Sequence, residues 1–205
     1  LTLAAINCAD TYRGQLPPIA GKANIQEGSL LFHLLPFIEQ DRLFKEAKGQ
    51  SWKVAGTVIP LYLDPRDASS ADHLFQNALA TTSYAGNWFV FKDGSNRFPQ
   101  SITDGTSNTM MFATRNQICD NTPNVWAYSA IYTWAPMFAY YSIEKFQDNP
   151  RPGHCDPKLP QGFGTSVAVI GLCDGSVRLF AWAISDQTWR AVTTPNGGEI
   201  IGNDF

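Results

Sequence analysis

The sequence has few charged residues and lacks the basic runs by which many proteins bind nucleic acids. Charged residues make up 16% of the chain and the formal net charge is −3, whereas ordinary soluble domains contain about 25% charged residues. Lysine and arginine are scattered, so a phosphate backbone would meet no basic patch. We therefore expect no nucleic-acid partner. The low charge favours a compact extracellular domain, or a subunit that buries much of its surface against neighbours.

Long apolar runs and paired metal-binding cysteines are also missing. No stretch reaches the roughly 18 apolar residues that are needed to cross a bilayer. The four cysteines form no C-x-x-C pair, and no spacing of cysteine and histidine fits a zinc site. Two interpretations stay open: buried free thiols, or one disulfide. Cys119 and Cys155 are the best candidates for a disulfide, because both lie in polar loop sequence, but the bond requires an oxidising compartment.

Motifs of common catalytic sites are absent as well. The chain has no G-x-S-x-G elbow and no glycine-rich phosphate loop. His33 lies in an apolar helical run, which favours a packed, hydrogen-bonded side chain. His154 precedes Cys155 and Asp156, but three adjacent residues rarely share one metal ion. No pair of catalytic carboxylates can be assigned, so we expect no enzyme.

Asp-Gly turns are what the sequence does contain. Asp174-Gly175 separates two apolar runs, which predicts a β-hairpin with strands at about 166–172 and 176–183. Ser185 then predicts the start of a helix over 186–192. Two further pairs, Asp93-Gly94 and Asp104-Gly105, indicate a chain organised as antiparallel hairpins. That pattern favours a packed β domain that displays loops over a Rossmann-type enzyme.

The apolar periodicity predicts further helices near the N-terminus. A first helix covers 1–13, and its pattern is already under way at Leu1, which predicts the end of a longer helix. A second segment, 29–47, begins at Ser29 and is kinked or split by Pro36. Residues 52–65 could form a helix or a strand, and a helix that ends before Pro60 is favoured.

The remaining sequence predicts strands and one long loop. Strands are expected at 82–91, 107–114 and 125–134. Residues 135–165 are rich in Pro, Asp and Tyr and predict a long surface loop, which is often where function resides.

Oxygen-rich turns raise the possibility of a calcium site. The segment "DGTSN" (104–108) offers carboxylate, hydroxyl and amide oxygens, and calcium takes roughly six to eight oxygen ligands. The candidate ligands are Asp104, Ser107, Asn108 and Asp174. The alternative, which the sequence favours, is that each aspartate closes an Asx turn by accepting backbone N–H groups.

Aromatic residues around the long loop form a second candidate site. Trp134, Tyr140 and Tyr141 could line a groove for a sugar or another extracellular polymer. The alternative, again favoured, is that these rings belong to the core and an interface, because aromatics spaced two apart are typical of packed strands.

Several segments, in order along nearly the whole chain, resemble the prepilin-like proteins that are abundant in planctomycetes and related bacteria. "LLFHLLPFIEQDRLF" is similar to that family's "hLLPyIEQ" segment, "TSYAGNW" to "sSYaGN", and "ITDGTSNTMMFAT" to "ItDGTSNTi". "CDGSVRLF" resembles the closing H-x9-DG motif. The chain departs from the family at Asp64, where the family has Cys, at Thr114-Arg115, where a Glu is usual, and at Gly164, which occupies the position of the motif's His. Any role of that His is therefore in doubt here.

The resemblance implies one α+β, pilin-like head over 1–205, in which an N-terminal helix packs on an antiparallel sheet with long inserted loops. It implies a structural subunit of a type II secretion or type IV pilus-like assembly. The expected partners are copies of the chain or other pilin-like subunits and the inner-membrane machinery, with membrane contact only through the helix before Leu1. The expected location is the cell envelope, periplasmic or extracellular. The second hypothesis is a surface module that binds glycans or other polymers through the 135–165 loop.

Overall fold

The computed structural model describes residues 1–23, 26–164 and 166–205. Within these ranges the chain is an α+β fold with a five-stranded mixed sheet, in the order β13-β12-β6-β5-β9, and four two-stranded ribbons. The helices are α1 (Thr2–Thr11), α2 (Leu30–His33), α3 (Asp41–Glu46), α4 (Trp88–Phe91) and α5 (Asp186–Thr193). The strands are β1 (Ala20–Ala23), β2 (Gln26–Ser29), β3 (Leu74–Phe75), β4 (Leu79–Ala80), β5 (Tyr84–Asn87), β6 (Met110–Thr114), β7 (Ile118–Cys119), β8 (Thr122–Pro123), β9 (Met137–Phe138), β10 (Gln147–Asp148), β11 (Gln161–Gly162), β12 (Val167–Leu172) and β13 (Val177–Ala181).

The β12–β13 hairpin forms one edge of the main sheet and confirms the strongest local prediction. Asp174-Gly175 makes its turn, and Gly175 has φ +90°, a conformation that glycine adopts without strain. Strand β12 pairs antiparallel with β6, and β6 pairs antiparallel with β5. In the main sheet, β9 runs parallel to its neighbour, β5. The sheet is therefore antiparallel except at the edge formed by β9.

The other two Asp-Gly pairs do not join hairpin strands, so that prediction is wrong. Asp93-Gly94 follows the short helix α4, and Asp104-Gly105 precedes a one-turn 3-10 helix at Thr106–Asn108. Asp93 Oδ1 accepts a hydrogen bond from Ser95 N at 3.0 Å. An Asp-Gly pair supplies a capping carboxylate and a left-handed glycine to any tight turn, whichever elements flank it.

Helix α1 confirms the first predicted helix and packs on one face of the sheet. Its buried residues are mostly small: Ala4, Ala5, Cys8 and Ala9 lie in one core cluster with Phe112 of β6. At Gly171 of β12, an added Cβ would lie 2.5 Å from Thr2 Cγ2. Small side chains on the helix and a glycine on the sheet thus allow close approach of the two backbones.

Helix α5 covers the opposite face, where the second core cluster lies. Trp189 packs against Phe180 and Phe146, with ring centroids 6.2 and 5.7 Å apart. Ser185 caps the helix as predicted, since its side chain accepts from Thr188 N at 3.2 Å. The sheet is thereby enclosed between α1 on one side and α5 on the other.

The segment 29–47 is split by Pro36, as its sequence predicts. Ser29 Oγ accepts from Phe32 N at 3.1 Å and starts α2, a 3-10 turn spans Leu35–Ile38, and α3 follows. The helix predicted from residue 52 is wrong, because the chain forms two separate 3-10 turns, Ser51–Val54 and Pro60–Tyr62. Proline begins the second of them, a position where its missing N–H costs nothing.

The strand expected at 125–134 is also wrong, since only Val125 forms an isolated bridge there, with Thr81. Trp126 is buried, and its Nε1 donates to Thr57 O at 2.9 Å. The strand predicted at 82–91 stops at Asn87, whose side chain accepts from Phe89 N and starts α4. In both segments, side-chain hydrogen bonds decide the local structure.

The strand expected at 107–114 begins three residues late, after the 3-10 turn, and is otherwise present as β6. The 135–164 part of the predicted loop is largely irregular and contributes β9, β10 and β11. The prediction of a surface loop throughout is wrong, because Phe138, Phe146 and Phe163 are buried, and Thr165 lies outside the described residues. Across residues 1–23, 26–164 and 166–205, no helix has both the length and the apolar character that a bilayer span requires.

Candidate functional site

Five aromatic residues of the 128–141 segment form a partly exposed surface, which we call the aromatic face: Tyr128, Tyr132, Trp134, Tyr140 and Tyr141. Tyr132, Tyr140 and Tyr141 are 53, 44 and 43% exposed. The rings of Tyr140 and Tyr141 are in contact, with centroids 4.8 Å apart. Trp134 contacts Tyr128 instead, at 5.7 Å. The structure thus places the three predicted binding residues in two adjoining ring pairs.

The pKa of Tyr141 reflects both its partial burial and its neighbours. Partial desolvation raises the pKa of Tyr141, and the neighbouring phenols of Tyr140, Tyr132 and Tyr128 raise it further, while Arg115 opposes them. Those hydroxyls therefore lie within electrostatic range of Tyr141. The Lys158 ammonium lies 5.9 Å from the centre of the Tyr141 ring, within range of a weak cation–π contact.

Other rings support the aromatic face from beneath. Phe75 packs edge-on against Trp134, with centroids 5.5 Å apart. Trp88 of α4 does the same to Tyr140 at 4.6 Å. Edge-to-face pairs add stability beyond the area they bury. The exposed tyrosines are therefore held on packed aromatic supports.

Arg115 fixes the backbone that carries the aromatic face. Its side chain is buried, and its guanidinium donates to Ala135 O at 2.6 Å, to Met137 O at 3.1 Å and to Thr133 O. Burial lowers the pKa of Arg115 to about 10, although Asp156 and Tyr141 oppose the shift. Within the described residues its Nε has no hydrogen-bond partner. The buried guanidinium of Arg115 thus donates hydrogen bonds to three carbonyl oxygens of one loop.

Sequence reasoning did not assign Arg115 to the site. The one feature of the sequence that could have indicated its role is its position directly after the apolar strand β6. A charged residue at such a position either marks the end of the strand or is buried against another segment. Its partners are carbonyl groups about 20 residues away, such as Ala135 O with a sequence separation of 20. Every residue type has a backbone carbonyl, so the identity of a residue does not show whether its carbonyl accepts a hydrogen bond from Arg115. These contacts therefore cannot be predicted from the sequence.

A buried carboxylate, Asp67, organises a second polar centre that the sequence did not indicate. Its Oδ2 accepts from Ser83 Oγ at 2.8 Å and from Gln117 N at 2.9 Å, while Oδ1 accepts from Ser69 N at 3.1 Å. The Gln117 side chain continues the network to His73 Nδ1 at 2.9 Å. These bonds tie the 64–70 loop to the main sheet.

Cys119 and Cys155 form a disulfide, with Cα atoms 5.3 Å apart. It lies beside a polar cleft of about 410 Å³ whose lining includes Arg66, Asn116, Asp120 and Arg151. Cys8 and Cys173 are buried free thiols. Burial raises the pKa of Cys8 to about 12 and raises that of Cys173 as well, so neither is a ready nucleophile at neutral pH. The disulfide interpretation is thus correct for Cys119 and Cys155, and the interpretation as buried free thiols is correct for Cys8 and Cys173.

The four candidate calcium ligands lie near one another, but their carboxylates serve different turns. Asp104 accepts from Gly197 N at 2.8 Å and from Gly198 N at 3.1 Å. Asp174 Oδ1 accepts from Ser176 N at 2.9 Å and from Ser176 Oγ at 2.6 Å. Asn108 Nδ2 donates to Asp104 O at 3.1 Å, and Ser107 is exposed. Asp174 closes an Asx turn as expected, but Asp104 does not, because its carboxylate accepts from two N–H groups that are 93 and 94 residues away. Calcium binding stays a prediction.

Desolvation of Asp174 acts to raise its pKa, but the hydrogen bonds from Ser176 outweigh it and leave the pKa below its usual value. Its ionised form is therefore stabilised by protein donors.

Among the described residues, no group of three or more His, Cys, Asp or Glu side chains is placed to hold a metal ion. His33 is packed and hydrogen-bonded, with Nε2 3.2 Å from Gly21 O.

Comparison with protein-family models, with curated proteins and with solved structures found no match to this chain. The α+β fold and the sites described above therefore rest on the chain's own geometry.

Proposed function

We propose that this chain is the head of a non-enzymatic structural subunit that resembles a type II secretion pseudopilin or a type IV pilin-like protein. It would assemble with copies of itself or related subunits through an N-terminal helix, and would display the head at the cell envelope. The inner-membrane secretion or pilus machinery would be its other partner.

The observation that carries this proposal is the packing of α1. The helix lies on a largely antiparallel sheet through Ala4, Ala5 and Ala9, and Thr2 contacts Gly171 near the end of the interior strand β12. Its other side bears Leu3, which is 65% exposed. A pilin-like head requires this arrangement, because the assembly helix must be docked on the sheet at one side and free at the other.

The disulfide between Cys119 and Cys155 supports the proposed location. Such bonds persist in oxidising compartments and are rare in the cytosol. A head displayed beyond the inner membrane meets that condition.

The test is mass spectrometry of the N-terminal peptide of the protein isolated from its native cell. We expect a mature start about 25 to 40 residues before Leu1, on a methylated residue that opens an apolar helix long enough to span a bilayer. A start produced by an ordinary signal-peptide cut, without that helix, would contradict the proposal.

The aromatic face favours a second candidate function, the binding of glycans or similar extracellular polymers. Tyr140 and Tyr141 present ring surface to solvent on packed supports, and Arg115 holds the underlying loop. Rings of this kind offer an apolar face with a polar hydroxyl at one end. A pyranose has the matching character, since its C–H face is apolar and its edge carries hydroxyls.

Titration with a panel of polysaccharides, followed by tryptophan fluorescence, tests this second function. We expect Trp88, which packs against Tyr140, and Trp134, which packs against Tyr128, to respond. Tyr141→Ala should abolish the response, whereas Tyr12→Ala, at a similarly exposed tyrosine that caps the C-terminus of α1, should preserve it. No response to any glycan would reject this function and leave the structural proposal untouched.

A further inference from the structure

The outer edge of β13 carries unpaired hydrogen-bonding groups. β13 is the last strand of the main sheet. Leu172 N donates to Ser176 O at 2.9 Å and Trp182 N donates to Ser166 O at 2.9 Å. Hydrogen-bonded positions alternate in an antiparallel ladder. The backbone N–H and C=O groups of Arg178 and Phe180 therefore point towards β12. The backbone groups of Val177 and Leu179 consequently point away from the sheet, and within the described ranges neither residue has a hydrogen-bond partner there.

The side chains at this edge are apolar and exposed. Val177 is 62% and Leu179 is 65% exposed. Beside them lies an apolar groove of about 300 Å³ whose lining includes Leu61, Tyr84 and Val169. Protein edge strands are usually blunted by lysine, proline or a bulge. The edge strand "VRLFA" has none of these, and its single charge, on Arg178, lies over the ring of Phe205 at 4.2 Å on the other face.

We propose that β13 pairs antiparallel with the β13 of a second copy of this chain, which joins two five-stranded sheets about a two-fold axis. The free groups at the edge are a ready template for an extended strand, and a two-fold axis offers each copy the strand it lacks. This inference does not depend on the proposed function, because it uses only the edge of the sheet, although Leu1 and Thr2 of α1 also line the neighbouring groove.

Charge fixes the register of the pairing. If the two-fold axis passed through Arg178, two guanidinium groups would lie directly opposite each other, which is destabilising. If it passes through Leu179, that residue faces its own copy and Arg178 faces Phe180 of the other chain. The second register has no like-charge pair, because each Arg178 then lies opposite Phe180 of the other chain, an uncharged residue that is buried in the core. It also matches the outward N–H and C=O groups of Leu179 to each other.

The test is sedimentation equilibrium of the wild-type chain and of two lysine variants. We expect a reversible dimer of the wild type, with a dissociation constant raised at least about tenfold by Leu179→Lys, since lysines then meet at the two-fold axis. The matched control is Ile131→Lys, an apolar residue that is 38% exposed on the aromatic side of the molecule. It should leave the dissociation constant unchanged.

Amide exchange of the wild type supplies a readout that needs no variant. The Val177 and Leu179 amides should exchange quickly in dilute solution and become protected at concentrations where the dimer forms. A chain that stays monomeric up to about millimolar concentration, where only pairs weaker than roughly −4 kcal/mol dissociate, would overturn the proposal. So would a dimer in which these two amides remain unprotected, or one that Ile131→Lys weakens as much as Leu179→Lys.

Discussion

Single buried polar residues determine much of this structure, and the sequence reveals few of their partners. Arg115, Asp67 and His33 are all buried, and each is held mainly by backbone groups or by side chains far along the chain. Prediction from the residues did place His33 correctly in a packed apolar segment. It could not find the contacts of Arg115 or Asp67, because any residue type supplies a backbone acceptor or donor.

Replacing Arg115 should destabilise the chain strongly. Arg115→Met keeps most of the side-chain volume but removes the guanidinium donors to Met137 O and Thr133 O and one of the two donors to Ala135 O, which also accepts from Met137 N. We therefore expect a loss of about 3 kcal/mol in the free energy of unfolding. Urea unfolding measures it. Arg97→Met is the matched control, because Arg97 makes one exposed hydrogen bond to Arg13 O, and it should cost less than about 1 kcal/mol. Equal losses in the two variants would contradict the role given to Arg115.

Stability should depend on pH through His33. Burial lowers its pKa from 6.5 to about 4, and hydrogen bonds to Gly21 and Gly28 oppose the shift. Between pH 6.5 and pH 4, His33 is therefore protonated in the unfolded state and neutral in the folded state. The free energy of unfolding decreases as the pH falls through this range. The expected loss in the free energy of unfolding is about 3 kcal/mol, because the pKa values of His33 in the folded and unfolded states differ by roughly 2.5 units.

Urea unfolding at pH 7 and pH 4 tests the histidine. The drop between the two pH values should be smaller in His33→Gln than in the wild type. His154→Gln, on an exposed loop, serves as control and should retain the full wild-type drop. If both variants behave alike, another group is responsible.

The Asp104 and Asp174 turns allow a direct test of the calcium hypothesis. Their carboxylate oxygens already accept hydrogen bonds from protein donors, so we expect the melting temperature to be the same with EGTA and with added calcium. A site that bound calcium would instead raise the melting temperature as the ion concentration increased. A fall with EGTA that calcium restores would establish the site.

At the scale of elements, local signals were predictive where the residues that carry them are adjacent. The Asp174-Gly175 hairpin, the Ser185 cap and the break at Pro36 were all predictable, since each depends on a few consecutive residues. The 125–134 segment was not, because Trp126 reaches Thr57 and Arg115 holds the loop at 133–137. Alternating aromatics there meet other rings instead of forming a ladder.

The disulfide should stabilise the elements that it joins. It closes a loop of sequence separation 36 between β7 and the 149–156 segment, which corresponds to about 3 to 4 kcal/mol in the chain-entropy model. Reduction with dithiothreitol should therefore lower the free energy of unfolding of the wild type by that amount. The Cys119→Ala/Cys155→Ala double variant should show no effect of reductant, and an effect there would point to Cys8 or Cys173.

At the scale of the whole molecule, two layers of helix enclose the main sheet. The α+β class and helix α1 were predictable from periodicity, whereas the strand order was not, since β9 enters the sheet from within a segment that predicts only loop. Its two residues carry too little pattern to be distinguished from their surroundings.

The docking of α1 can be tested by overpacking. Ala5 is fully buried, so Ala5→Leu should cost about 1 to 3 kcal/mol, because no space is left between helix and sheet. Leu3→Lys, on the exposed side of the same helix, should change stability by less than about 0.5 kcal/mol. Thermal or urea unfolding measures both. A tolerated Ala5→Leu would mean that α1 is held only loosely.

The contact of Thr2 with Gly171 also has a mechanical consequence. Tension applied to the chain at Leu1 would act first on the packing of α1, whose first turn lies against β12, an interior strand bonded on both sides. The helix would have to leave the sheet before the load reached the rest of the chain. A head attached in this way yields first at the interface between helix and sheet, while the β12–β13 and β12–β6 ladders stay closed.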